Sequence, residues 1–105
     1  MAHLLGKIFG VKINTVDDLN RLMDIVAEDC RLKVVGKCFH QFEPYGATGV
    51  LVLSESHFSA HTYPENLMVY VDVFCCDPTF CPKYCASVIE QVFQSRSSEW
   101  QIVAR

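Results

Sequence analysis

Apolar residues fall along this chain in two rhythms, one that suits strands and one that suits helices. The run HLLGKIFGV over residues 3–11 is short and apolar and reads as a first strand. Val16, Leu19, Met23 and Val26 then recur at helical spacing, which predicts an amphipathic helix over 15–29. Thr15 followed by Asp18 makes a capping-box-like start, and acids near a helix N-terminus are favourable. The polar face of this helix (Asp17, Asn20, Arg21, Asp24, Glu28) reads as solvated surface. Strand-like composition resumes from Leu32 to Phe42, and PYGATG over 44–49 reads as a turn. Gly49 to Leu53 is an apolar strand that ends at Ser54-Glu55-Ser56-His57. Phe58 to Tyr63 alternates and stops at Pro64-Glu65-Asn66, and Leu67 to Cys76 is rich in β-branched and aromatic residues. Cys81-Pro82 suits the start of a second helix, with Val88, Ile89, Val92 and Phe93 as its apolar face. Trp100 to Val103 closes the pattern as a last short strand.

The resulting order is β-α-β-β-(β)-β-α-β. Strands joined by tight turns favour antiparallel pairing, so the expected fold is α+β: a two-layer sandwich with an antiparallel β-sheet and two helices packed on one face. The 105 residues suffice for one domain spanning 1–105. No internal repeat, linker or low-complexity segment interrupts it. Helices on one face leave the other face of the sheet bare. Half the residues are hydrophobic, so that face is expected to pack on a second copy, giving a homodimer.

Composition narrows the function. A net charge of −3 offers no electrostatic attraction to nucleic acid or an anionic membrane. No signal-like segment and no apolar run of membrane-spanning length is present, so a soluble, cytoplasmic protein is expected. The six cysteines include Cys75, Cys76, Cys81 and Cys85, and they read as reduced thiols, mostly small buried hydrophobes. They lack the paired C-x-x-C spacing of a zinc site, so no metal is expected. His57 and His61 are four apart, a ligand spacing only on a helix, and this stretch reads as strand. The G-x-S-x-G elbow of a serine hydrolase is absent.

Reactive side chains concentrate between residues 54 and 77, SESHFSAHTYPENLMVYVDVFCCD. The segments FHQFEPYGATGVLVLSESHFSAHTYPE and VDVFCCD resemble the processing and active-site region of the bacterial and archaeal, pyruvoyl-dependent S-adenosylmethionine decarboxylases. The early HLL strand and the helix after it also fit, so the similarity covers most of the chain. Glu-Ser-His alone carries no weight; the ordered set with its spacings is what is specific.

The resemblance implies self-cleavage between Glu55 and Ser56, giving a β chain of 1–55 and an α chain of 56–105, with Ser56 converted to a pyruvoyl group. That carbonyl suits decarboxylation of an amino acid, because the carbanion left at Cα needs an electron sink. By the same resemblance His61 assists processing, Thr48 helps by stabilising the developing oxyanion, and Cys76 returns a proton to Cα. Phe42 and Tyr63 match aromatic positions expected to sandwich adenine, and Glu65 matches a carboxylate suited to ribose hydroxyls. Taken singly, His61 is an ordinary strand histidine, Thr48 a turn threonine, and Phe42, Tyr63 and Glu65 core aromatics or a loop acid. His57 has no assigned role, and Cys75, facing the other way from Cys76, reads as core.

The chain departs from the family pattern in places. Tyr63 stands where tryptophan is usual, Asn66 to Tyr70 (NLMVY) replaces a Gly- and Ala-rich stretch, and Cys75 and Asp77 replace the common Thr and Gly. The C-terminus is short for the family. The implied substrate is S-adenosylmethionine, feeding spermidine synthesis. The bulk of NLMVY keeps open the same chemistry on arginine or ornithine, and a non-processing binding relative is a third reading.

Overall fold

The computed structural model describes residues 1–105. In chain order it contains β1 (Ala2–Phe9), α1 (Val16–Asp29), β2 (Val34–Gln41), β3 (Ala47–Leu53) and β4 (Ser56–Tyr63). A short 3₁₀ turn (Pro64–Asn66) leads to β5 (Met68–Cys75), α2 (Pro82–Phe93) and β6 (Ser97–Ala104). The strands form one sheet in the order β2-β3-β4-β5-β1-β6, with every neighbouring pair antiparallel. This is the expected α+β sandwich. The order of strands is the new information, since β1 inserts between β5 and β6.

Strand alternation sorts the residues cleanly. Leu4 and Ile8 of β1, Leu51 of β3, Phe58 of β4, and Val69 and Val73 of β5 are fully buried. They meet Leu19, Met23 and Val26 of α1 and Ile89 of α2, which are equally buried. Both helices therefore cover the same face. Two glycines make room in this layer. A Cβ on Gly49 would stand 2.2 Å from the Phe39 ring of β2, and one on Gly6 would stand 2.2 Å from the Trp100 ring of β6.

Thr15 caps α1 as expected, its hydroxyl oxygen accepting the Asp18 N–H at 3.2 Å. The polar face of α1 is less free than its sequence implies, because Lys37 of β2 donates to both Asn20 (3.0 Å) and Asp24 (2.6 Å). The opposite face of the sheet carries no helix. It presents Thr48, Val50 and Val52, then His57, Ser59, His61 and Tyr63, then Tyr70, Asp72 and Phe74, with His3 and Lys7 from β1.

Element ends differ from the sequence expectation where backbone geometry intervenes. β1 stops at Phe9, before the left-handed turn at Gly10 (φ 79°). β2 stops at Gln41, and β3 begins at Ala47 inside the expected turn. β4 begins at Ser56 itself, two residues before the alternating run, because Leu53 pairs with Ser56 to close a hairpin over Ser54 and Glu55. No helix is long and apolar enough to cross a membrane.

Candidate active site

The β3–β4 hairpin creates the first half of the site. Glu55 occupies its tip with φ 65°, a left-handed conformation that a residue with a Cβ adopts at a cost of about 1 kcal/mol or more. The Glu55–Ser56 peptide bond is therefore in a locally strained turn. Ser56 follows as the first residue of β4, half-buried, at the edge where β5 ends in Cys75.

Cys76, one residue beyond that strand end, reaches across the bond. Its backbone N–H donates to Ser56 Oγ at 3.0 Å, and its thiol donates to the Glu55 carbonyl oxygen, also at 3.0 Å. The Ser56 hydroxyl and the Glu55 carbonyl are thus gripped by one residue. Cys75 is buried in the core, on the helix side, as its alternate position implied.

The loop after Cys76 is held by Asp77, whose carboxylate accepts from both the N–H and the hydroxyl of Thr79 at 2.8 Å each. These two bonds hold the Asp77 carboxyl below the usual carboxylate range. Beside the Glu55–Ser56 bond lies a cavity of about 880 Å³, bounded by Ser54–Ser56, the Cys75–Asp77 corner, the end of α1 and the loop leading into α2. Its walls include Cys30, Cys75, Cys76 and Cys81, together with Phe80, Tyr84 and Lys33. The mixture of polar and aromatic side chains suits a small polar organic molecule.

Thr48 and His61 lie elsewhere. They are directly paired across β3 and β4, with Thr48 Oγ1 and His61 Nδ1 2.9 Å apart. His61 is five residues along β4 from Ser56, about 17 Å at ordinary strand rise. It also points to the bare face of the sheet, whereas Ser56 shares the alternation of the buried Phe58 and Ala60. Within one chain the pair cannot reach the Glu55–Ser56 bond.

The residues expected to hold substrate gather at that same far end. The turn from Phe42 to Gly46 is tied down by the Gln41 side chain, which accepts from Val16 N–H (2.7 Å) and donates to the carbonyls of Asn14 and Gly46 (2.9 Å each). Gly46 lies against Thr62 and Pro64, which brings the Phe42 turn beside Tyr63. Tyr63 stands edge-on to Tyr70, ring centres 5.4 Å apart. Both aromatics proposed to flank adenine are exposed, Phe42 at 46% and Tyr63 at 39%.

Glu65 lines a second, smaller cavity of about 340 Å³ with Lys12, Asn14, Tyr45 and Leu67. The Asn14 side-chain oxygen is buried there with no partner, a polar atom that sequence reasoning gave no reason to single out. The NLMVY departure does add bulk at this end: Leu67 lines that cavity in a left-handed turn (φ 50°), and Tyr70 packs on Tyr63.

The remaining reactive cluster was not anticipated. His57 Nε2 and His3 Nε2 stand 2.9 and 2.7 Å from the same oxygen of Asp72, while the Ser59 hydroxyl donates to the other oxygen. Burial alone raises the Asp72 carboxyl, but the bonds from Ser59, His3 and His57 outweigh it and leave the group below its usual value. His57 and His3 flank Phe74 in the register of β4, β5 and β1, a pairing that only the strand order reveals.

A family model described as S-adenosylmethionine decarboxylase matches residues 2–105. The S-adenosylmethionine decarboxylase proenzyme of Aquifex aeolicus is 37% identical over 98 residues, covering 90% of this chain and 73% of that protein. The proenzyme of a Sulfurihydrogenibium species is 42% identical over 77 residues, covering 70% of this chain and 58% of that protein. The Clostridium botulinum proenzyme is 30% identical over 92 residues, covering 85% and 79%. A crystal structure of the adenosylmethionine decarboxylase from Aquifex aeolicus superposes with a TM-score of 0.87 at 30% identity, covering 99% of this chain and 88% of that one.

Proposed function

The chain belongs to the S-adenosylmethionine decarboxylase family, and from that premise we propose that it cleaves itself at Glu55–Ser56 and decarboxylates S-adenosylmethionine with the pyruvoyl group so formed. The observation that carries this reading is the double grip of Cys76 on Ser56 Oγ and on the Glu55 carbonyl, around a left-handed Glu55.

That geometry supports cleavage. Ser56 Oγ is connected to the Glu55 carbonyl carbon through its own backbone, so attack closes a small ring and the Glu55–Ser56 C–N bond breaks to leave an ester. Negative charge grows on the Glu55 oxygen during attack, where the Cys76 thiol already donates. Relief of the turn strain at Glu55 favours the forward direction. Removal of the Ser56 α-proton then expels Glu55 as a carboxylate, and the resulting dehydroalanine takes up water and loses ammonia.

The pyruvoyl carbonyl at position 56 supplies an electron sink for the carbanion left at Cα when carbon dioxide departs. The surroundings fit it, because Ser56 opens on the larger cavity with a thiol and a backbone N–H at hand. Once Glu55 has been released, the Cys76 thiol has lost its carbonyl acceptor and is free to hold the proton destined for Cα.

Processing needs a base for the Ser56 hydroxyl and α-proton, and the Thr48–His61 pair is the natural one. Its distance from Ser56 within one chain supports a composite site in a homodimer, with His61, Thr48, Phe42, Tyr63 and Glu65 of one copy facing Ser56 and Cys76 of the other. The bare sheet face, with Val52 46% exposed, supports the same assembly. Phe42 and Tyr63 would then flank the adenine and favour the sulfonium charge, with Glu65 on the ribose. The product would be the aminopropyl donor for spermidine synthesis. The six unbridged cysteines suit the reducing cytoplasm.

The test is intact mass of the purified protein followed by release of carbon dioxide from carboxyl-labelled S-adenosylmethionine. Cleavage at 55/56 together with labelled gas supports the proposal. An intact chain, or labelled gas only from arginine or ornithine, overturns it.

A further inference from the structure

The cluster on the bare face is organised in a way that the decarboxylase chemistry does not use. Three side chains come from three adjacent strands: His3 from β1, His57 from β4 and Asp72 from β5. Their imidazole Nε2 atoms and one carboxylate oxygen all lie within 4.8 Å of one another. The rings of His3 and His57 stand 6.0 Å apart at 88°, so the nitrogens approach Asp72 from two different directions. All three residues are half-buried in the single chain, and the second copy proposed for this face shields them further from bulk water.

We propose that His3, His57 and Asp72 form a binding site for a divalent transition cation, with zinc favoured by the ligand set. Two neutral imidazoles and one carboxylate with an open position are the donor set of open zinc sites. Zinc–ligand bonds of about 2.0–2.1 Å at a tetrahedral angle separate neighbouring ligand atoms by about 3.3 Å. The present His–Asp separations of 2.7 and 2.9 Å need open by only about half an ångström, while the two imidazole nitrogens, within 4.8 Å of each other, settle at the same tetrahedral spacing. Ser59 donates to the second Asp72 oxygen, which orients the carboxylate and leaves its other oxygen toward the histidines.

Arg105 supplies an internal control. Its guanidinium donates to His3 Nδ1 at 3.2 Å, which places the His3 proton on Nε2, the atom a cation needs bare. Metal binding therefore requires Arg105 to release His3. Arg105 is an antagonist of the site, so removing it should strengthen binding.

The experiment uses the full chain, stripped with chelator and kept reduced, titrated with Co²⁺ and Zn²⁺. Binding is followed by equilibrium dialysis and by the imidazole nitrogen resonances. The site predicts a single equivalent per chain, shifts at His3 and His57 but not at His40 or His61, and a Co²⁺ spectrum without thiolate charge transfer. His57→Ala and His3→Gln should each weaken binding by at least about tenfold, and Arg105→Ala should bind more tightly than the wild type. Should either ligand variant unfold, the wild-type resonance shifts decide alone. No binding up to millimolar metal, unshifted His3 and His57 resonances, or a thiolate band showing the cation on the cysteines would each overturn the proposal.

Discussion

A mixing experiment with two inactive variants tests the composite site. Ser56→Ala removes the proposed attacking hydroxyl, and His61→Ala removes the proposed base. Within one chain His61 lies about 17 Å from Ser56 along β4 and on the other face of the sheet, so it cannot serve its own serine. Each variant alone should stay uncleaved. In a two-fold dimer of one chain of each kind, the intact Ser56 of the His61→Ala chain faces the intact His61 of its partner. That single site is complete. Random pairing places about half of the His61→Ala chains in such mixed dimers, so about half of them should be cut and none of the Ser56→Ala chains. The assay is co-refolding of differently tagged chains, then a denaturing gel and intact mass. Mixed dimers demonstrated by tag capture, yet containing only uncut His61→Ala chains, would refute the reasoning. So would cleavage of His61→Ala on its own at the wild-type rate.

Other consequences follow from single contacts. Cys76→Ala should slow chain cleavage by up to about 100-fold through loss of the donor to the Glu55 carbonyl, while Cys76→Ser should largely restore cleavage but not turnover, measured by time-resolved gels and labelled carbon dioxide. Gly49→Ala should destabilise by about 1–3 kcal/mol, because its Cβ meets the Phe39 ring at 2.2 Å; the urea midpoint reads this. Thr15→Ala should cost about 1 kcal/mol by leaving the Asp18 N–H uncapped, again seen in the urea midpoint. The neighbouring Cys85 thiol pulls the Cys30 thiol pKa down against burial and Asp29, whereas Cys30 and burial push Cys85 up. A lowered pKa yields more thiolate below pH 9, so iodoacetamide should modify Cys30 well before Cys85 at neutral pH, and equal rates by mass spectrometry would contradict this.

Much of this molecule was legible along the chain because its information is local. The Val16–Val26 stripe, the Thr15 cap and the Pro82 start each depend on residues within a turn or two, and all stand in the structure. The expectation that Cys75 faces the opposite way from Cys76, into the core, holds: Cys75 is buried. What could not be read was pairing. That β1 lies between β5 and β6 is set by contacts between residues some 70 to 100 positions apart, such as His3 with Phe74 and with Val103. The His3–His57–Asp72 cluster therefore had no signature in spacing. The Ser56–Cys76 contact has the same non-local character, joined by a hairpin and a strand end, and was accessible only through the family resemblance. The start of β4 was missed because Ser54-Glu55 reads as loop, while the two-residue closure from Leu53 to Ser56 makes Ser56 the first paired residue.

The most direct measurement is the intact mass of the mature protein, taken before and after treatment with an amine and a carbonyl-trapping reductant. Two polypeptides, one ending at Glu55 and one starting at a position 56 that gains the mass of the amine, are the expected result. A lone uncut polypeptide, unchanged by the reagent and still bearing a serine hydroxyl at 56, would contradict the account.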